Sequence, residues 1–149
     1  MAFVADPQGA LFYLMRGSSE EDSTAFSPTA DGHCAWNELY AASQGPALEF
    51  YGAMFGWEKG GAMPMGELGD YTFINHGGTM IGAVMDKPAD APAVTWNYYF
   101  RVSGIDAAVG RIRAAGGTVL MGPQEVPGDA WVVNALDPQG AAFGLVGSK

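Results

Sequence analysis

The chain has 149 residues, 48% of them hydrophobic, and its 16 acidic side chains against 7 basic ones give a net charge of -9. That length allows one domain with a real core or two small halves sharing one, and the scattered Lys and Arg exclude a nucleic-acid backbone or an anionic membrane surface as partner. Cys34 is the single cysteine, so no internal disulfide forms and a reducing, cytoplasmic compartment is expected; the apolar opening breaks at Asp6, unlike a signal peptide, and no stretch is long enough to span a bilayer.

Residues 5–14 (Ala-Asp-Pro-Gln-Gly-Ala-Leu-Phe-Tyr-Leu) recur as residues 136–145 (Leu-Asp-Pro-Gln-Gly-Ala-Ala-Phe-Gly-Leu). Asp-Pro-Gln-Gly is turn chemistry, with Pro fixing one φ and Gly accepting a positive one, and the apolar alternation that follows predicts a strand leaving each turn. Each copy is therefore a hairpin arm. Residues 16–32 are polar, rich in Gly and Ser, and without periodicity, which predicts a linker. Residues 33–42 predict a strand around Trp36, Leu39 and Tyr40. Ala47, Leu48, Phe50, Tyr51, Met54 and Phe55 then recur at helical spacing, with Gly56 as the stop. Two or three strands are expected between 57 and 85, the clearest being 71–75 and 79–85 about a turn at His76-Gly77-Gly78. Residues 86–93 read as a second linker.

The same order then begins again. Residues 94–102 predict a strand, Ser103 with Asp106 has the spacing of a capping box, and Ile105, Ala108, Val109, Ile112 and Ala115 give a buried helical stripe ended by Gly116-Gly117. Strands follow at 118–121, 130–135 and 141–146. At an offset of about 61 the helix-ending Gly56 and Gly117 coincide, and at about 62 so do Gly78 with Gly140 and Gly82 with Gly144. The fold class is α+β, built from two tandem βαβββ units, 32–86 and 94–149, that form a curved mixed sheet. An extra N-terminal strand (1–16) and a linker (17–31) precede them.

Phe50-Tyr51 followed by Phe55-Gly56-Trp57, the two βαβββ units, and Asp137-Pro138-Gln139-Gly140 before the last strand resemble the vicinal oxygen chelate superfamily of glyoxalase I, bleomycin resistance proteins, fosfomycin resistance proteins and extradiol dioxygenases. Trp36-Asn37-Glu38-Leu39 and the stretch 122–128 resemble a branch whose members often carry two such pairs in one chain. That resemblance implies that the copy at 5–14 is the last strand of a preceding pair, and this chain a C-terminal portion.

The resemblance also implies a divalent metal held by His, Gln or Glu on the first and fourth strands of each unit. The corresponding positions here are Trp36, Gly82, Asn97 and Gly144, none a normal ligand. A shift of two would bring in Glu38, but one carboxylate makes no site. His33 and His76 fall at a strand start and a turn, where they read as exposed or locally hydrogen-bonded. No cofactor is expected, and metalloenzyme chemistry is disfavoured.

Strand alternation sends Asn97, Tyr99 and Arg101 to one face and the more apolar Val94, Trp96, Tyr98, Phe100 and Val102 to the other, beneath the helices. By the repeat, Trp36, Glu38 and Tyr40 join Asn97, Tyr99 and Arg101 as candidate ligand-binding residues of an aromatic cup. Gly82 and Gly144 would leave volume in it, and Met63, Met65, Met80, Met85 and Met121 could line it. Alternatively these side chains fill the cup and Glu38 pairs with Arg101. Cys34 beside His33 is no nucleophilic pair, since neighbours on a strand face opposite ways. Two functions are expected: a metal-independent protein binding a small, partly aromatic molecule, or a metal-dependent or acid–base enzyme of the glyoxalase or dioxygenase kind, with Glu38 and Tyr99 as weak catalytic candidates. A homodimer is expected in either case, with the extra strand covering a sheet edge.

Overall fold

A computed structural model describes residues 1–149 of the chain. The duplicated phrase takes one conformation in both places. Strands β1 (Ala2–Ala5) and β2 (Leu11–Leu14) flank the first turn. Asp6 Oδ1 accepts the backbone N–H of Gln8 at 2.8 Å and of Ala10 at 2.9 Å, while Gly9 donates to the Asp6 carbonyl with φ of 94°. At the second turn Asp137 Oδ1 accepts from Gln139 and Ala141, both at 2.8 Å, and Gly140 has φ of 90°. The registers also agree: Ala5 opposes Leu11 as Leu136 opposes Ala142, and Val4 opposes Phe12 as Ala135 opposes Phe143.

From residue 34 onward the order is β3 (Cys34–Ala41), α1 (Gln44–Phe55), β4 (Glu58–Pro64), β5 (Asp70–His76), β6 (Thr79–Asp86), then β7 (Thr95–Val102), α2 (Ile105–Ala114), β8 (Thr118–Val126), β9 (Ala130–Leu136) and β10 (Ala142–Gly147). This is βαβββ twice, the expected tandem α+β arrangement. In the first repeat the strands lie in the order β4-β5-β6-β3, with β3 and β6 parallel and the other pairs antiparallel. In the second the order is β7-β10-β9-β8, with β7 and β10 parallel. The mixed pairing follows from the connections, since a helical crossover sets up a parallel pair and a short hairpin an antiparallel one.

By contacts the chain divides into a unit of Met1–Ser23 with Asn37–Trp96 and a unit of Thr24–Trp36 with Asn97–Lys149. In the first, Leu39, Ala41, Ala47, Leu48, Tyr51, Ile74 and Val84 form a core under α1, which Ala10 and Phe12 of the N-terminal ribbon join. Aromatic rings dominate it: Tyr51 stacks on Trp57 at 5.3 Å and meets the edges of Trp96 and Phe12. Asp6 is buried there, and its Oδ2 accepts the Tyr51 hydroxyl at 3.0 Å, which in turn accepts Trp96 Nε1 at 3.0 Å. Gln8 pairs its side-chain amide with both backbone groups of Ser43, the residue that opens α1. In the second unit Ile105, Ala108 and Val109 of α2 pack on Val133, Ala135 and Leu145. No helix is long and apolar enough to cross a membrane.

Several expectations are corrected. The extra N-terminal strand is present as β2, but it pairs with β1 in a two-stranded ribbon and not with an edge of this chain's main strands. The tight turn brings residues 2–5 alongside at far less loop-closure cost than any distant edge. The linker 16–32 is ordered at its end, where Ser27 and Cys34 exchange backbone bonds with the carbonyls of Cys34 and Ala25, and Gly32 donates to Arg101 O. The α2 start is capped by neither Ser103 nor Asp106. Gly104 is its extended N-cap, and Ser148 near the end of the chain serves it instead, its carbonyl accepting from Ile105 N–H and its hydroxyl donating to Ser103 O. Strand β8 runs to Val126, beyond the strand expected at 118–121. Tyr98 and Phe100, expected beneath the helices, are 42% and 39% exposed.

Candidate functional site

In the first unit, Leu39, Val84 and Ile74 face α1, so alternation turns Glu38 and Tyr40 of β3, Ala83 and Met85 of β6, and Tyr71 and Phe73 of β5 to the opposite, open face. Register lines these up: Glu38 lies beside Ala83, which lies beside Phe73; Tyr40 lies beside Met85, and Tyr71 beside Met63. Ala83 is small, and the Tyr71 side chain reaches across β6 to donate its hydroxyl to Glu38 Oε2 at 2.8 Å. That reach explains why Ala83 and Met85 are buried on a face that has no helix, and why Glu38 is only 7% exposed.

Tyr40 also donates to Glu38. Burial above all, then the Glu38 charge, the hydrogen bond to Glu38 and the charge of Asp90, push its phenol well above the usual range. Tyr40 therefore remains a proton donor at any physiological pH. The result is one buried carboxylate held between two phenols, with the Tyr71 and Phe73 rings meeting edge to face at 5.8 Å and 83°. A buried carboxylate needs such donors, because desolvation without them costs several kcal/mol.

In the second unit, Asn97, Tyr99 and Arg101 share the open face with Gly144, and Tyr99, Gly144, Asn134 and Met121 fall in one register row. Tyr99 is 5% exposed because its ring lies over Gly144; a Cβ there would come within 2.7 Å of Cγ and Cε1. Arg101 donates from Nη1 to Pro28 O at 3.2 Å and places Nε 3.9 Å from Asp31 Oδ1, so the linker holds its head. Trp36 lies in the Thr24–Trp36 segment of this unit, where its carbonyl accepts the Cys34 thiol at 3.6 Å. Burial raises the Cys34 thiol, which works against a thiolate nucleophile. His33 has Nδ1 3.1 Å from Asp31 O, a local bond, and His76 is exposed at the end of β5.

The open volume expected at the two glycines is absent. At Gly144 the Tyr99 ring fills it. Gly82 lies in register with Asn37, on the row that also carries Leu39 and Val84, and a Cβ there would run into the Asn37 carbonyl. The implied metal positions Trp36, Gly82, Asn97 and Gly144 thus converge no donors, and no group of three or more His, Cys, Asp or Glu side chains gathers anywhere. This donor set does not fit a chelated divalent ion. Tyr71 and Phe73, which the sequence reading left out of the site, were reachable from the alternation of 71–75. The reach of Tyr71 over Ala83 was not, because it depends on strand order.

A family model described as Glyoxalase/Bleomycin resistance protein/Dioxygenase superfamily matches residues 32–145. Over 146 residues the chain is 31% identical to "Putative glyoxylase CFP32" of Mycobacterium bovis, covering 98% of this chain and 55% of that protein. It is 30% identical over 136 residues to the "Anthracycline biosynthesis protein DnrV" of Streptomyces peucetius, covering 82% of this chain and 48% of the relative. The chain thus spans about half the length of the curated relatives it matches. Among solved structures, a Streptomyces coelicolor methylmalonyl-CoA epimerase variant in complex with 2-nitronate-propionyl-CoA aligns at a TM-score of 0.61 and 18% identity, over 80% of this chain and 96% of that one. Repeat, strand order and matched length agree, and the chain belongs to the glyoxalase/bleomycin resistance protein/dioxygenase superfamily.

Proposed function

We propose that this protein binds a small, partly aromatic molecule on the open face of its sheet and does so without a metal. The observation that supports the reading is the Glu38 group. On the sheet face away from α1, the first unit presents a buried carboxylate whose donors are the Tyr71 and Tyr40 hydroxyls, beside half-buried aromatic rings. Small-molecule sites are composed this way, mostly apolar with a few placed polar groups. The relative named for anthracycline biosynthesis makes planar aromatics the rational first probes.

Elemental mass spectrometry of protein purified without chelator, followed by calorimetric titration of Mn, Fe, Ni and Zn ions, tests the metal part. Sub-stoichiometric metal and no binding heat are expected. Near-stoichiometric metal lost on Glu38→Gln would overturn the reading. A metal-free acid–base enzyme is the second reading, favoured by the Tyr71–Glu38 hydrogen bond, which joins a phenol to a buried carboxylate. It requires that Glu38→Gln abolish turnover while affinity stays within a few-fold.

We extend the proposal to assembly and chain organisation. A cytoplasmic homodimer is our reading, checked by sedimentation. The register shared by β1–β2 and β9–β10 supports reading residues 1–16 as the closing pair of a further unit.

A further inference from the structure

Every residue of β1 and β2 is apolar, and in this chain the two strands pair only with each other. Asp6 N–H donates to Ala10 O, so antiparallel alternation points the backbone groups of Val4 and Phe12 at one another. It turns those of Phe3, Ala5, Leu11 and Tyr13 outward along the two edges. No charge, proline or bulge blunts either edge, although these are the devices by which proteins keep such rows of donors and acceptors from pairing. The side chains of Phe3, Leu11, Tyr13 and Met15 are each more than half exposed, the Phe3 and Tyr13 rings touching only one another at 4.7 Å. Phe12 meanwhile packs on Tyr51 and Phe55 of α1, so the open edges are held in place.

The C-terminal copy of the ribbon shows what completes such a pair. There β10 takes β7 as a parallel neighbour and β9 takes β8 as an antiparallel one, while α2, which joins those two strands, covers Val133, Ala135 and Leu145. Ala2, Val4 and Leu14 are the equivalents by register, and of these Ala2 and Leu14 are exposed. The N-terminal ribbon does not fit the β7–β8 slot itself. Gly144 and Gly147 of β10 lie against β7 with no room for a side chain: a Cβ at the first would meet the Tyr99 ring, and one at the second would run into the Val102 carbonyl. Tyr13 and Arg16 stand at the equivalent positions of the N-terminal copy. A second copy of this chain, with the ribbon exchanged for its β9–β10, is therefore the wrong occupant.

We propose that the N-terminal ribbon is the docking site of a strand–helix–strand segment of the same fold joined ahead of residue 1, its first strand parallel to β2 and its last antiparallel to β1. Tyr13 selects a segment with a small residue where β7 carries Tyr99. This rests on the reading of residues 1–16 as a closing pair and adds which segment that pair accepts. The curated relatives, of which this chain spans about half, have the length for such a segment.

The test joins a second copy of residues 94–131 directly to Met1 of the full chain, which reproduces the passage from β8 into β9. Backbone amide exchange at Phe3, Leu11 and Tyr13, read by nuclear magnetic resonance, reports whether the two edges are paired. In the unextended chain these outward amides should exchange almost unprotected. With Tyr99→Ala in the added copy they should slow by about tenfold or more, as amides do on entering a ladder. With Tyr99 kept in the added copy they should stay close to the unextended chain. Tyr13→Gly should then restore the protection, because it recreates the pairing of Tyr99 with Gly144. Equal protection whatever stands at the two positions would overturn the selection by Tyr13 and leave the closing-pair reading intact. If no extended chain gains protection, the Tyr13→Gly form included, the closing-pair reading falls as well.

Discussion

The twin turns supply their own control for what the buried carboxylate of Asp6 contributes. Asp6→Ala and Asp137→Ala each remove two side-chain bonds to backbone N–H groups, at 2.8 and 2.9 Å in the first turn and at 2.8 Å twice in the second. At Asp137 the orphaned donors are exposed, water replaces the carboxylate, and the loss is about 1 kcal/mol. At Asp6, itself 5% exposed, the Ala10 N–H is buried and the Tyr51 hydroxyl loses its acceptor inside an aromatic cluster. Each stranded group costs about 1–3 kcal/mol, so Asp6→Ala should destabilise by about 3–5 kcal/mol. The difference of at least ~2 kcal/mol corresponds to a midpoint shift of about 1 M urea at an m-value near ~2 kcal/mol/M. Urea unfolding followed by tryptophan fluorescence reads it, with Trp57 and Trp96 as neighbours of the perturbed hydroxyl. A cycle with Tyr51→Phe should return a coupling of about 1–2 kcal/mol. Equal midpoints for the two Asp variants would refute the assigned role of the Asp6–Tyr51–Trp96 chain.

Gly144→Ala should destabilise by about 1–3 kcal/mol, since the added methyl displaces the Tyr99 ring, and near-ultraviolet circular dichroism should change with it. Alkaline titration of phenolate absorbance should show Tyr40 and Tyr98 ionising above the usual phenol range, both chiefly through burial, with the Cys34 charge adding at Tyr98. Folding favours the neutral phenol there, so this contribution to stability is complete below the unfolded value of about 10 and is lost as pH rises above it. Unfolding curves that are flat through that range would contradict the shifts. Deleting residues 1–31 removes Ala10 and Phe12 from the aromatic core and should alter solubility or oligomeric state; unchanged sedimentation and solubility would oppose that reading.

Local chemistry was legible where it closes on itself. Asp-Pro-Gln-Gly forms its turn from its own atoms, and Gly56 ends α1 in the left-handed conformation at φ of 69°, so both were readable in place. The repeat at an offset of about 61 placed α1 and α2 and gave the tandem fold. What failed depended on residues distant in sequence. Ser103 and Asp106 have capping spacing, but Ser148 near the end of the chain already serves the start of α2. Alternation assigned Tyr98 and Phe100 to the helix side, yet periodicity names a face and not whether anything covers it. At the site, Glu38 was found by its position on the strand. Tyr71 was missed because its hydroxyl arrives over an intervening strand, and the glycine spaces were misjudged because an Asn37 carbonyl and a Tyr99 ring occupy them.

The twin ribbons also bear on how the chain folds. One is flanked by β7 and β8, the other by neither, yet turn and register are the same. A conformation indifferent to its neighbours is encoded within its own short stretch, with very low contact order, and such hairpins close in microseconds. The C-terminal pair can therefore form before β7 and β8 arrive, leaving the distant parallel pairing of β7 with β10 as the slow event. Weakening the second turn should slow refolding, whereas a lesion at the start of the chain should chiefly hasten unfolding.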